Sequence, residues 1–334
     1  MATPAVPDAS SIIAGTVAFI WQVVHPWFKM QGRTCEAVAM GRASQSSAVI
    51  LSFAGSIGTT GMGNFVWYEL ATADIKAAKA FYANVMGWGT AGTSAPGRAY
   101  CLFTAGGIPV AGLMELPAKA AAVGAAPQWI GYVEVDDVED AASLTGRLGG
   151  TVHVPPADIP GVSRFSIIAD PDWATLGLIK GRERSHGGGA QPSALGHVVW
   201  HELLGACLER GFAFYSGLFG WQKANARPGP MGMYLEFSAG AEAIGGMFTR
   251  PWNSPFSVWL YYFNVGDIGA AAKRVEAGRG QILNGPFMLP SGAWAVHCRD
   301  PQGAIFALID TRVRVSVGCY KARDPSLSPQ GHRP

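Results

Sequence analysis

With 334 residues the chain has room for two domains of ordinary size, and 49% hydrophobic residues is enough to build globular cores. The formal net charge is only +2, and its basic excess lies in residues 1–61 and 311–334. The slightly acidic remainder argues against nucleic acid as a partner. Five scattered cysteines without CxxC spacing are typical of free thiols in a reducing compartment, which favours a cytoplasmic location.

The first 61 residues contain the only stretch that invites comparison with a membrane segment. The apolar run over residues 11–24 is about 14 residues long, whereas spanning a bilayer takes roughly 20. It also lacks the basic leading region and the cleavage site of a secretory signal. We therefore predict no membrane association, and we expect residues 1–61 to be a disordered or misassigned N-terminal extension.

The strongest feature of the sequence is an internal repeat. Residues 64–88, NFVWYELATADIKAAKAFYANVMGW, recur at a constant offset, so that Trp67 and Glu69 correspond to Trp200 and Glu202. The correspondence continues downstream in further aromatic, glycine and acidic positions, including the pairs Tyr100 and Tyr234, Gly112 and Gly246, Tyr132 and Tyr262, Asp170 and Asp300. A repeat this long indicates tandem domains rather than a solenoid. We place them at residues 62–181 and 194–312, joined by a polar, Gly-rich linker at 182–193 and followed by a disordered tail at 313–334.

Each repeat has the pattern of two strand–helix–strand–strand–strand modules. FVWYEL is rich in aromatic and branched residues, as strands are, and Asp74 is placed to cap a helix that ends at Gly87. Short strands broken by Gly and Pro follow over residues 100–114. The second half of the domain repeats the plan, with WIGYVEV as its first strand and an Asp-Pro turn between its last two strands.

These segments resemble the vicinal oxygen chelate superfamily, the group of glyoxalases, bleomycin-resistance proteins and extradiol dioxygenases. The resemblance rests on TADIKAAKAFYANVMGW, on WIGYVEVDDVEDA and on the closing DPQGAIFALI, and it is closest to the two-domain glyoxalase-like proteins of actinobacteria. It implies an α+β fold of tandem domains, in which two βαβββ modules form one cupped mixed sheet. In catalytic members it also implies a divalent metal held in the cup by His, Gln or Glu side chains.

The positions that the resemblance assigns to metal ligands do not carry ligands here. One ligand is expected seven residues before the Asp that opens each helix, and another seven residues after the Asp of the DPxG turn. Those positions are occupied by side chains without an oxygen or nitrogen donor suited to a divalent cation: Trp67, Ile130, Gly177, Trp200, Leu260 and Ala307. We therefore predict no cofactor and no metal site.

Strand alternation places a different set of side chains in each cup. Residues two apart on a strand share a face, so Glu69 accompanies Trp67 and Tyr132 accompanies Ile130, with the same arrangement in the second repeat. Apolar walls with a few placed polar groups are typical of small-molecule pockets. We predict a ligand-binding set of Trp67, Glu69, Tyr132, Trp200, Glu202 and Tyr262, with Glu69 and Glu202 as candidate general bases.

Several alternatives stay open from the sequence. The two tryptophans are equally compatible with core packing, and the two glutamates with a structural role. A metal-dependent lyase, dioxygenase or hydroxylase would need ligands such as Glu69, His201, Glu202 and Glu236, although His201 should point away from Trp200 together with His197, towards the surface. The isolated His153 and His297 are expected to be non-catalytic. In a third alternative the role is purely structural, with one cup serving as a scaffold or an interface. For the partners we predict a small-molecule ligand, and we expect a monomer or a homodimer.

Overall fold

The computed structural model describes residues 63–95, 98–122, 124–159, 163–180, 194–229, 232–250, 257–289 and 291–312. The expectations for residues 1–61, 182–193 and 313–334 lie outside this part of the chain and stay predictions.

The first domain forms one eight-stranded mixed sheet. Its elements are β1 (Phe65–Thr72), α1 (Ile75–Met86), β2 (Gly89–Ala95), β3 (Arg98–Ala105), β4 (Ile108–Glu115), α2 (Ala118–Ala122), β5 (Gln128–Val135), α3 (Val138–Arg147), β6 (Thr151–Ile159), β7 (Ser163–Ala169) and β8 (Thr175–Lys180). The strand order is β2-β3-β4-β1-β5-β8-β7-β6, with β1 parallel to β4 and antiparallel to β5. The first strands of the two modules therefore lie side by side at the centre of the sheet.

The second domain repeats this plan. Its elements are β9 (Val198–Gly205), α4 (Leu208–Phe219), β10 (Gln222–Gly229), β11 (Gly232–Ser238), β12 (Ala243–Thr249), β13 (Val258–Asn264), α5 (Ile268–Ala277), β14 (Gln281–Met288), β15 (Trp294–Arg299) and β16 (Ile305–Asp310). The order β10-β11-β12-β9-β13-β16-β15-β14 matches that of the first sheet strand for strand. The predicted α+β fold, with two tandem domains of two βαβββ modules each, is confirmed.

The helix ends follow from local sequence. Asp74 has an extended backbone and its side chain accepts a hydrogen bond from the Ala77 amide, as an N-cap does. Gly87 ends the same helix with φ 71°, a left-handed conformation that costs glycine little. Both ends lie where the sequence predicts them, and the apolar face of α1 is buried.

The helices and one face of each sheet enclose a core that both domains share. Tyr82 of α1 donates a hydrogen bond to Asp300 of the second domain, at 3.1 Å, and Tyr215 of α4 donates to Asp170 of the first, also at 3.1 Å. The hydroxyl of Tyr82 also accepts from the Trp129 indole at 2.9 Å. These reciprocal contacts come from equivalent positions of the two repeats, and they join the domains through buried polar bonds within an aromatic core.

His201 lies in this shared core and not on the surface, so the expectation of a surface histidine was wrong. Its side chain points away from the cup, as alternation predicts, but that face of β9 packs against β1, and the residue is only 7% exposed. Nδ1 lies 2.6 Å from the Ile244 carbonyl and therefore donates to it, which leaves Nε2 to accept from the Tyr68 hydroxyl, also at 2.6 Å. Phe65 stacks on the ring, and burial lowers the pKa of His201 to about 4.

In the described part of the chain no helix is long and apolar enough to cross a membrane. Of the cysteines found there, Cys101, Cys207 and Cys298 carry free thiols.

Candidate functional site: two cups lined by Trp, Tyr and Glu

The opposite face of the second sheet forms a cup centred on Glu202. Trp200 and Glu202 lie on β9, where Trp200 pairs with Tyr262 of β13 and Glu202 pairs with Leu260. This register places the Tyr262 side chain diagonally across from Glu202 on the same face. The strand pairing thus brings Trp200, Glu202 and Tyr262 together on one face, as the sequence predicts.

Two tyrosine hydroxyls hold the Glu202 carboxyl. Tyr234 donates to Oε1 at 2.9 Å and Tyr262 donates to Oε2 at 2.7 Å. The Trp200 indole in turn donates to the Tyr234 hydroxyl at 3.1 Å. Burial raises the pKa of Glu202 above its usual value, and the two tyrosine hydrogen bonds partly oppose that rise.

Tyr234 reaches Glu202 only because a glycine lies between them. Tyr234 is on β11, two strands away from β9, and its ring crosses Gly246 of the intervening β12. A Cβ atom on Gly246 would lie 2.0 Å from the Tyr234 hydroxyl oxygen. The glycine therefore makes room for the phenol, a role that the sequence did not reveal although both residues recur in the repeat.

His297 extends the hydrogen-bonded set. Its Nε2 atom lies 2.8 Å from the Tyr262 hydroxyl oxygen, on the side away from Glu202. Burial lowers the pKa of His297 to about 4, so the imidazole is neutral near neutral pH. Sequence reasoning treated His297 as isolated because the register that brings β15 next to β16 and β13 cannot be read from spacing alone.

The first cup contains the same Trp, Tyr and Glu side chains without the histidine. Tyr132 donates to Glu69 Oε2 at 2.9 Å, and Tyr100 interacts with the same carboxyl group and with the Trp67 indole. Glu69 is 1% exposed, and burial raises its pKa to about 7. The place of His297 is taken by Ile167, which pairs with Gly177 as His297 pairs with Ala307.

The two cups differ in how far their linings are buried. In the first domain Tyr100 is 2% exposed and Leu102 is fully buried, and Ala120 of α2 packs against the same cluster. Their counterparts Tyr234 and Glu236 are only partly buried. The second cup thus exposes its polar groups more, which makes it the better candidate for ligand binding.

The outer part of the second cup carries an ion pair that the first cup lacks. Arg227 of β10 pairs with Glu236 of β11, and its guanidinium lies 4.9 Å from the centre of the Tyr234 ring. Such a cation over an aromatic face adds an attractive interaction. Glu236 is therefore engaged in a salt bridge with Arg227.

The donors in the cups do not fit a divalent metal. Such an ion in a protein needs several oxygen or nitrogen ligands that converge on one point. In the second cup both oxygens of Glu202 face tyrosine hydroxyls. In the first cup Gly177 occupies the position expected for a late carboxylate ligand, and the Tyr132 ring lies 2.2 Å from where a Cβ atom on Gly177 would be. Within the described ranges no group of three or more His, Cys, Asp or Glu side chains is arranged to hold a metal ion.

The ligand set of the metal-dependent alternative does not come together either. Glu69 and Glu202 lie in different cups, His201 lies in the shared core, and Glu236 is paired with Arg227. The predicted small-molecule set, by contrast, is brought together in two groups: Trp67, Glu69 and Tyr132 in the first cup, and Trp200, Glu202 and Tyr262 in the second.

A depression of about 300 Å³ lies elsewhere, between the end of α1 and the strand end at Asn264. It is open and mostly apolar, and the Arg274 guanidinium beside it donates to the Val85 carbonyl. That contact caps a helix end, so we assign the depression a structural role.

Comparison with known proteins agrees with the fold. The family model described as the Glyoxalase/Bleomycin resistance protein/Dioxygenase superfamily matches residues 64–176 and again residues 194–308. The chain therefore belongs to this superfamily and contains two of its domains.

Curated relatives cover most of the chain. A putative glyoxylase, CFP32, from Mycobacterium bovis is 34% identical over 246 residues, 73% of this chain and 93% of the relative. The anthracycline biosynthesis protein DnrV from Streptomyces peucetius is 26% identical over 270 residues, 74% of this chain and 92% of the relative. This chain is a glyoxalase-like protein of the family.

Solved structures share the fold at low identity. The Mn(II)-bound glyoxalase from Novosphingobium aromaticivorans has a TM-score of 0.52 at 15% identity, over 75% of this chain and 83% of that protein. The catechol dioxygenase BphC has a TM-score of 0.52 at 10% identity, over 80% of this chain and 97% of that protein.

Proposed function

We propose that the second cup binds a small, largely apolar aromatic molecule without a metal ion and acts on it through the acid–base chemistry of Glu202. The observation that carries the proposal is the buried Glu202 carboxyl, held by two tyrosine hydroxyls at the base of a cup that leaves Trp200 and Tyr234 partly exposed. Burial raises the pKa of Glu202, which brings a carboxyl closer to the range in which it exchanges protons near neutral pH.

The side chains that line the second cup indicate which class of ligand it would bind. Trp200, Phe248 and Phe287 supply apolar surface, and Glu202 and His297 supply a small number of polar groups. This composition favours a flat aromatic ligand with one or two polar substituents. The name of one relative, an anthracycline biosynthesis protein, supports a ligand of aromatic character.

Fluorine NMR on protein labelled with 5-fluorotryptophan tests this proposal. We expect 1-naphthol, used as the probe, to shift the resonance of Trp200 in a saturable manner and to leave that of Trp67 unchanged, because Tyr100 and Leu102 of the first cup are buried whereas their counterparts in the second cup are only partly buried. The Trp200→Phe and Trp67→Phe variants assign the two resonances. Saturable shifts confined to Trp67, or none in a series of naphthols, naphthoquinones and salicylates, would overturn the proposal.

A second candidate is a metal-dependent lyase, dioxygenase or hydroxylase. It is favoured by the fold shared with a Mn(II)-bound glyoxalase and a catechol dioxygenase, and opposed by the donor set of the two cups. Elemental analysis of the purified protein separates the two candidates, since a metal enzyme of this family would carry Fe, Mn, Ni or Zn in stoichiometric amount.

A further inference from the structure

The hydrogen-bonded set of the second cup has a fixed direction at one end. An indole N–H can only donate, so the Tyr234 hydroxyl oxygen accepts from Trp200 and uses its single proton to donate to Glu202 Oε1. The hydrogen bonds from Trp200 to Tyr234 and from Tyr234 to Glu202 Oε1 therefore keep the same direction whether or not Glu202 is ionised.

The protons of the hydrogen bonds that join Glu202 Oε2, Tyr262 and His297 can be arranged in two ways. Tyr262 carries one proton and lies 2.7 Å from Glu202 Oε2 and 2.8 Å from His297 Nε2. When Glu202 is ionised it only accepts, so Tyr262 donates to it and His297 must carry a proton on Nε2 to bond the phenol oxygen. When Glu202 is protonated on Oε2 it donates to Tyr262, Tyr262 donates to Nε2, and His297 carries its proton on Nδ1.

We propose that Glu202, Tyr262 and His297 form a proton relay that connects the buried carboxyl with His297 Nδ1, where a ligand with an acidic hydroxyl group, a phenol or an enol, would be bound. The ligand half of this inference rests on the proposed function. The relay itself rests on the geometry of the free protein.

One proton moves at each of three bonds, and none is gained or lost. From the state with Glu202 protonated, the Oε2 proton passes to the Tyr262 oxygen, the Tyr262 proton passes to His297 Nε2, and the Nδ1 proton passes to the oxygen anion of the ligand. The products are the Glu202 carboxylate and a neutral ligand hydroxyl. The reverse sequence removes a proton from the ligand and stores it on Glu202, and neither direction needs an oxidant or a reductant.

Two features make His297 the ligand-facing end. Its ring is partly buried beside Phe287 in the cup, and no hydrogen-bond partner of Nδ1 lies among the described residues. Its own pKa of about 4 keeps the imidazole neutral while Glu202 changes its protonation state. Among the described residues, the other titratable or charged groups beside the relay lie on neighbouring strands and are Tyr234, Glu236 and Arg227.

The relay is a property of the second cup alone. In the first cup Glu69 and Tyr132 form the equivalent bond, but Ile167 stands where His297 does. Glu69 therefore lacks this route to a ligand, and it is buried together with Tyr100.

Nitrogen NMR of histidine-labelled protein tests the relay without any ligand, because the two tautomers of a neutral imidazole have distinct shifts at Nδ1 and Nε2. We expect the His297 resonances to change from the Nδ1–H form to the Nε2–H form as pH rises through the pKa of Glu202, in one step that follows the ionisation of that carboxyl group. The His297→Gln variant assigns the resonances.

The change of the His297 tautomer with pH should vanish in Glu202→Gln and in Tyr262→Phe. It should persist in Glu69→Gln, which alters the equivalent carboxyl group of the first cup. A single tautomer at every pH, or a step that survives Glu202→Gln, would overturn the relay. Failure of naphthols to bind would instead overturn the proposed function and leave the tautomer step in place.

Discussion

At the residue scale, the two cups are built around carboxyl groups whose pKa is raised by burial. Glu69 is the clearer case, because it is almost fully buried and its pKa is raised to about 7. In the unfolded chain a glutamate titrates near 4.5, so between these values the folded protein holds a proton that the unfolded chain has lost. Protonation of Glu69 therefore favours the folded state at low pH, and the advantage disappears as pH rises.

Replacing Glu69 with Gln should make this contribution measurable. From pH 4.5 to pH 7 the free energy of unfolding of the wild type should fall, relative to that of Glu69→Gln, by about 3 kcal/mol. Taking the difference between the two proteins removes the opposing contribution of His201, whose lowered pKa makes stability rise with pH over part of the same range. Urea unfolding at a series of pH values gives the numbers.

The exposed Glu242→Gln variant is the matched control, since the loss of a solvated carboxyl should leave the pH dependence unchanged. A difference between wild type and Glu69→Gln that does not vary with pH would show that folding leaves the pKa of Glu69 unchanged, and would contradict this prediction.

At the element scale, the cup depends on small residues in the strands that tyrosine rings cross. Gly112 and Gly246 lie opposite Glu69 and Glu202 on neighbouring strands, and a Cβ on either would meet a tyrosine hydroxyl at about 2 Å. Each glycine thus leaves room for a tyrosine hydroxyl that hydrogen-bonds the carboxyl group of the same cup.

Substituting Gly246 with Ala should displace Tyr234 and break its bond to Glu202. We expect the free energy of unfolding to fall by roughly 1–3 kcal/mol, the usual cost of overpacking. Thermal or urea unfolding measures the loss, and the fluorine resonance of Trp200 should move as well because its indole bonds Tyr234.

Gly92→Ala serves as the control for that experiment, since nothing lies within 4 Å of where its Cβ would be. Equal stability of the two variants would contradict the account of Gly246 as the space for Tyr234.

Much of this architecture was predictable from the repeat. The strand and helix pattern, the caps at Asp74 and Gly87, and the shared face of Trp67 and Glu69 all follow from local periodicity. Tyr100 and Tyr234 were missed because their contact with the glutamates crosses an intervening strand, and His297 was missed because its partner depends on register between distant segments. His201 was misplaced because alternation gives the face of a strand but not what packs against that face.

At the scale of the whole molecule, the two domains share one core and are fastened by matching contacts. Tyr82 bonds Asp300 across the interface, and Trp129 bonds the same hydroxyl. Because buried aromatic residues of both repeats lie in a single cluster, neither domain retains a complete core without the other.

Unfolding should therefore be a single cooperative transition for both domains. Tyr82→Phe leaves the Trp129 indole N–H buried without its partner, which should cost about 1–3 kcal/mol and lower the midpoint of that one transition. Differential scanning calorimetry distinguishes this from the contrary result, two separate transitions of which only one moves.

We expect the two cups of this glyoxalase-like protein to hold a carboxyl group bonded by tyrosine hydroxyls and no divalent metal. Elemental analysis by mass spectrometry, on protein produced in medium supplemented with Fe, Mn, Co, Ni and Zn and purified without chelators, tests it most directly. We expect far less than one equivalent of each metal per chain, unchanged in Glu202→Gln. One equivalent of any of these metals, lost on substitution of Glu202, would contradict the account.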